Sequence, residues 1–194
     1  EFIITESIKA HPMALIHPEK LKAEERAEIE RLTAHDPSPT EFFVRRLAEG
    51  VATIAAAFEQ YRGKLVPESG AFGETADNIG RQLKSGAGAL IAERNGQVLA
   101  CVMTEMQEGD LYFGRLAVLQ QARGLGLAKR LIRAVEEEAR RRGLPGVRLG
   151  VRVVLTDNQR LFGSLGYVET SREPHPGFDY PTSINMRKAL SFSW

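Results

Sequence analysis

Apolar positions recur along this chain in two rhythms, one near 3.6 residues and one of 2, and their succession predicts its elements. The helical rhythm is clearest from Gly124 to Arg142. There Leu127, Leu131, Val135 and Ala139 repeat at every fourth residue, and Ile132 widens the stripe. Glu136-Glu137-Glu138 stands four residues before Arg140-Arg141-Arg142, with arginine toward the helix C-terminus, and Gly143 ends the run. Thinner stripes predict helices over Pro18 to Ala34 (Leu21, Ile29, Leu32), Glu49 to Tyr61 (Val51, Ile54, Ala55, Phe58) and Glu74 to Leu83 (Ile79, Leu83). Alternating or β-branched runs predict strands over Ala89 to Arg94, Gln97 to Met106, Asp110 to Val118, Val147 to Val154, Tyr167 to Thr170 and Ile184 to Lys188. Phe42 to Leu47 reads as a further strand, and Phe2 to Ile4 as a stray one.

Turn chemistry orders these pieces. Asn95-Gly96 suits a type I′ hairpin, which needs positive φ at both central residues, and Glu108-Gly109-Asp110 makes a second tight turn. Three strands therefore run antiparallel before the long helix. Thr156 or Asp157 is a candidate cap for a short helix over Asn158 to Leu165, closed by Gly166. Gly63 to Gly73 and the proline-bearing Arg172 to Thr182 read as loops, and Asp36-Pro37-Ser38-Pro39 as a linker. Residues 1–40 then form an extension carrying a helix, with Met13 a candidate native start, and residues 41–194 one domain. The fold class is α/β in the α+β sense: a mixed, mostly antiparallel central sheet with helices on both faces.

Composition changes this picture little. Of 194 residues, 43% are hydrophobic and 26% charged, which supports a real core. A net charge of +1 argues against a general nucleic-acid binder. The single cysteine, Cys101, excludes an internal disulfide and a cysteine-rich zinc site; it sits in the apolar run Val98 to Met103 and reads as a buried small hydrophobe. No apolar run approaches the ~20 residues of a membrane span, and Phe2-Ile3-Ile4 is too short for a secretory core. A cytoplasmic protein with no metal is expected, since no two histidines stand at ligand spacing.

The candidate chemistry lies between the third hairpin strand and the long helix, in Leu116-Ala117-Val118 followed by Arg123-Gly124-Leu125-Gly126-Leu127-Ala128-Lys129. A helix start offers unpaired N–H groups and the positive end of the peptide dipole, so bare backbone there suits a phosphate. No Walker A spacing is present. A dinucleotide fingerprint fails at its third glycine, where Lys129 stands, and at the tight turns that replace a βαβ crossover. What fits is R-x-x-G-x-[GA], carried by Arg123, Gly126 and Ala128.

That loop, the Asn95-Gly96 hairpin before it and the run Asn158-Gln159-Arg160-Leu161-Phe162-Gly163-Ser164-Leu165-Gly166-Tyr167 after it resemble the GNAT N-acetyltransferase superfamily over about residues 42–190. The resemblance implies acetyl-CoA in a cleft where the third and fourth strands of the pattern splay. Backbone N–H groups from Arg123 through Lys129 would hold its pyrophosphate. Leu116, Ala117 and Val118 would run beside the pantetheine, with Asn158 and Phe162 near it. A primary amine of a small molecule or peptide would attack the thioester, with the Leu116 amide as oxyanion donor. Many members carry a tyrosine acid where this chain has Phe162, so the acid stays open, with the thiolate leaving unassisted or helped by another group and Tyr167 read as a core aromatic; for the general base Tyr112 is the first candidate and Glu105 the next. Acceptor contacts would come from Tyr61, Glu74, His175, Asp179 and Tyr180, although His175 between two prolines reads as a rigid-loop residue. Two other readings remain: a CoA-binding sensor without turnover, or a transferase of another acyl group. A nucleotide- or NAD-binding protein is a third. The oligomeric state stays open, with a homodimer through a sheet edge or the N-terminal helix as one form.

Overall fold

A computed structural model describes residues 3–5 and 39–191. The predicted Pro18 to Ala34 helix and most of the linker lie outside the described residues. In chain order the elements are β1 (Ile3–Thr5), α1 (Pro39–Phe58), α2 (Ala76–Lys84), β2 (Gly88–Arg94), β3 (Gln97–Gln107), β4 (Asp110–Val118), α3 (Leu127–Arg141), β5 (Gly146–Arg152), α4 (Thr156–Ser164), β6 (Val168–Glu173) and β7 (Ser183–Ala189). The strands form one sheet in the order β1-β2-β3-β4-β5-β7-β6. Every neighbouring pair is antiparallel except β4 and β5, which run parallel and are joined through α3.

Both tight turns form as their residues require. Asn95 and Gly96 take φ of 54° and 76°, and Glu108 and Gly109 take 50° and 82°. The second turn thus centres on Glu108-Gly109, and Asp110 opens β4. Successive residues of β2 feed two separate cores. Leu90 and Ala92 pack with Leu131, Val135 and Phe162 of α3 and α4, while Ala89 and Ile91 pack with Ile54 of α1 and Leu83 of α2. A strand buried on both faces has no polar alternation, which is why this one reads as a continuous apolar run.

Two expectations fail. Phe42 to Leu47 is not a strand but part of α1, which runs without a break from Pro39. Its buried positions Leu47, Ile54 and Ala57, with Val51 and Phe58 packed beside them, hold a helical spacing that outweighs the β preference of the Phe-Phe-Val run. Pro39 stands at the first helical position, where a missing N–H costs nothing. In α4, neither Thr156 nor Asp157 caps the helix. Both lie inside its first turn, and the residue before it, Leu155, makes no side-chain cap. By contrast α2 has a full capping box between Thr75 and Asn78. That cap starts the helix at Ala76 and leaves Glu74 outside it.

Candidate functional site

The site begins where the sheet opens. β4 and β5 pair only at Leu111–Val147, Tyr112–Arg148 and Phe113–Leu149. Beyond Phe113, β4 stays with β3 and β5 stays with β7, so the two parallel strands part. A bulge in β4 marks the parting. Gly114 faces Met103 and Ala117 faces Cys101, so β4 carries one extra residue there, and Arg115 takes a φ of 52°. Arg115 is held in this conformation by its Nε, which donates to Glu74 Oε1 at 2.7 Å. The position of Glu74 just before the α2 cap makes that contact.

A cleft of about 620 Å³ fills the gap. Of the residues singled out from sequence, Tyr112, Leu116, Val118, Arg123, Ala128, Asn158 and Phe162 line it, as do Tyr61 and His175. Ala117 does not, because strand alternation turns its side chain into the core under α1; nor do Gly124, Leu125, Gly126, Leu127 and Lys129, and Leu125 lines a separate hollow with Asn95 and Ala122. Glu105 lies opposite Tyr112 on β3 and lines an adjoining hollow of about 190 Å³ together with Glu74, Tyr112 and Arg115. Asp179 and Tyr180 line neither space; the Tyr180 ring stacks edge-on against Phe178.

One end of the cleft meets the glycine loop. Gly124 and Gly126 take φ of 77° and 74°, and Gly126 directly precedes α3 without any side-chain cap. Leu127 is fully buried and anchors the helix start, whereas Leu125 is exposed. The N–H groups of α3's first turn therefore meet no capping oxygen from a side chain. Arg123 turns its guanidinium onto the end of α1, with Nη1 donating to Gln60 Oε1 at 2.8 Å and Nη2 to the Ala57 carbonyl at 3.4 Å. A cation at a helix C-terminus is favourable there.

Another part of the cleft wall is built by residues far apart in sequence. Arg152, at the end of β5, donates through Nη2 to the carbonyls of Pro67 and Glu68 at 2.8 and 3.2 Å. Its Nη1 lies 3.1 Å from His175 Nδ1, which is also 2.5 Å from Thr182 Oγ1. A guanidinium only donates, so Nδ1 accepts and the imidazole proton sits on Nε2. Burial, and then the Arg152 charge, hold the His175 pKa below its ordinary value, keeping the ring neutral. Sequence reasoning missed Arg152. It shares its pattern with Arg148 on the same strand, yet Arg148 pairs with Asp110, and nothing local tells the two apart.

The remaining reactive groups are accounted for by burial. Burial raises the Tyr112 pKa, so its phenol stays protonated at neutral pH. Tyr167 donates its hydroxyl to Glu136 at 3.2 Å and packs edge-on against Phe113 and Phe162, which commits it to the core. Burial pushes the Cys101 thiol up to about 12. Cys101 should therefore resist iodoacetamide at pH 8 in the native protein and label fully after denaturation; mass spectrometry reads the difference. Among the described residues no cluster of three or more His, Cys, Asp or Glu side chains could hold a metal, and no helix is long and apolar enough to cross a membrane.

Known proteins match this geometry. The ribosomal-protein-S18-alanine N-acetyltransferase of Escherichia coli has a TM-score of 0.64 at 16% identity, covering 100% of this chain and 97% of that one. The PaiA N-acetyltransferase of Thermoplasma acidophilum, solved in complex with coenzyme A, has a TM-score of 0.63 at 14% identity, covering 76% of this chain and 94% of that one. At such identities the likeness shows the fold. Phosphoenolpyruvate synthase of Neisseria meningitidis is 30% identical over 174 residues, which is 81% of this chain, but the match spans only 22% of that enzyme's length. The model of the acetyltransferase (GNAT) family matches residues 53–167, from within α1 through the hairpins, the glycine loop and α4. With more than half of its length in that match, and a parted β4–β5 pair leading into the loop before α3, this chain belongs to the GNAT acetyltransferase family.

Proposed function

We propose that this chain transfers an acetyl group from acetyl-CoA to a primary amine by direct attack on the thioester in the β4–β5 cleft. The observation that carries this reading is the continuity of the cleft. The unpaired β4 edge and the uncapped helix start border one cleft, the first through Leu116 and Val118 and the second through Arg123 and Ala128, so amide-pairing and phosphate-binding groups share one space. The N–H groups of Arg123, Gly124, Leu125, Gly126, Leu127, Ala128 and Lys129 would hold the pyrophosphate. The β4 edge at Leu116 to Val118 would pair with the pantetheine amides, and Asn158 and Phe162 would flank the arm. The bulge places Leu116 at the parting of the strands, where its N–H would stabilise the oxyanion. The coenzyme A complex of the Thermoplasma relative supports the donor.

The attacking amine must arrive neutral and lose a proton, and the departing thiolate gains one. Tyr112, protonated and lining the cleft, is the acid for the thiolate. Glu105, across the β3–β4 ladder from it and lining the adjoining hollow, would accept the amine's proton through water. Tyr112→Phe should lower kcat for acetyl transfer about 100-fold while the KM for acetyl-CoA stays unchanged. Thiol release from acetyl-CoA against a panel of primary amines measures both, and an unaltered kcat would remove Tyr112 from the mechanism.

The absence of a hydroxyl at Phe162, whose ring is buried against Phe113, favours a second reading: coenzyme A binding without turnover. Tight coenzyme A binding with no thiol release across the panel would select it.

A further inference from the structure

The charges along the cleft are not evenly satisfied. Arg115 is paired with Glu74, and outside the cleft Arg148 and Arg187 share Asp110. Arg152 differs. Its partners are two backbone carbonyls and a neutral imidazole, and no carboxylate among the described residues bonds to it. Glu68 offers Arg152 only its backbone carbonyl. Neutral oxygens satisfy the hydrogen bonds of a guanidinium but not its charge, and a partly desolvated cation without a counter-ion is costly. A cleft that keeps such a charge on its wall has a place for an anion.

The His175 ring adds a donor beside it. With Nδ1 engaged by Arg152 and Thr182, the proton is fixed on Nε2, and no hydrogen bond from Nε2 is made to another described residue. Thr182 locks the loop further by accepting the backbone N–H of His175 at 2.9 Å. Arg152 ties β5 to the Pro67-Glu68 loop, so this pair lines the cleft beside that loop, and His175 is among the residues from which acceptor contacts are expected.

We propose that Arg152 and the Nε2–H of His175 form an oxyanion subsite, so that the acceptor is an amine that also carries a carboxylate, as an amino acid does. This rests on the acetyl-transfer reading for its consequence in catalysis, but the subsite itself can be tested by binding alone. The first experiment compares free amino acids with their carboxamides and with the matching decarboxylated amines, by thiol release from acetyl-CoA. The carboxylate form should be preferred by about tenfold or more in kcat/KM, the scale of one charge-assisted hydrogen bond. In Arg152→Gln the preference should disappear while the KM for acetyl-CoA is unchanged, and Arg152→Lys should restore part of it. Equal use of the three acceptor forms, or an undiminished preference in Arg152→Gln, overturns the subsite.

The second experiment needs no turnover. With coenzyme A bound, N-acetylglycine should shift the His175 imidazole nitrogen resonances, N-acetylglycinamide should not, and Arg152→Gln should abolish the response. Absence of that shift overturns the subsite. A shift without any thiol release keeps the subsite and removes the transfer reading.

Discussion

Gly126→Val should abolish measurable coenzyme A binding while the protein still folds. Gly126 takes a φ of 74° immediately before α3, and a Cβ there would touch nothing within 4 Å. The substitution therefore does not act through a clash. Its effect is conformational: a β-branched residue disfavours the left-handed region by ~1–2 kcal/mol or more. The chain can relieve that strain by rotating the peptides on either side, which turns the N–H groups of Leu125 to Ala128 away from a common point. A pyrophosphate held by several such groups loses most of them together, so affinity should fall at least ~100-fold, against a stability loss of only ~1–2 kcal/mol. Calorimetric titration with coenzyme A and a thermal melt separate the two. Near-native affinity in a folded Gly126→Val protein would show that the loop does not hold the phosphates.

The largest loss of stability is expected at Asp110→Ala. Asp110 is 2% exposed and opens β4 at the base of the parallel pair. Its Oδ2 accepts from Arg148 Nε at 2.7 Å and from Arg187 Nε at 2.6 Å, and its Oδ1 accepts from Arg187 Nη2 at 3.0 Å. The site has no spare room: a Cβ on Gly146 would come within 2.7 Å of Asp110 Oδ1. One carboxylate thus joins β4, β5 and β7. Removing it leaves the Arg187 guanidinium without its carboxylate, beside Arg148, which keeps only the exposed Glu108; breaking a buried pair costs ~3–5 kcal/mol. Both arginines reach solvent in part, which places the loss near the lower end, ~3 kcal/mol or about 10 °C in Tm.

The same contact sets a pH dependence. The hydrogen bond from Arg187, then that from Arg148, holds the Asp110 pKa below its ordinary value despite burial. A carboxyl whose folded pKa is depressed contributes stability that is complete above its unfolded pKa of about 3.9 and is lost as pH falls through the folded pKa. Wild type should therefore lose this contribution below about pH 4, and Asp110→Ala should show a smaller Tm change over that window. Parallel Tm curves for the two proteins down to pH 2 would show that Asp110 is not the group responsible.

Much of the fold was legible because its signals are local. The Asn95-Gly96 turn demands positive φ from two adjacent residues, and the α3 stripe repeats within a single helix. Phe42 to Leu47 misled because local β preference competes there with a helical stripe whose later members, Ile54 and Ala57, lie in a helix packed on β3 and β4. The short-helix cap misled for a similar reason: Thr156 and Asp157 are both good capping types, and only the backbone decides that the helix has already begun.

By itself, then, the sequence determined the order of elements, the hairpins, the amphipathic helix and the loop on which a phosphate could rest, since each depends on residues close in the chain. The tertiary structure alone decided where the sheet parts, because a bulge is a mismatch between β3 and β4 and belongs to neither strand. It also decided the fates of two arginines that look alike in sequence. Arg148 finds the buried Asp110 at the start of β4, while Arg152 reaches the cleft and meets only carbonyls and an imidazole. Charge compensation is a property of the neighbours that folding supplies, and those neighbours lie tens of residues away.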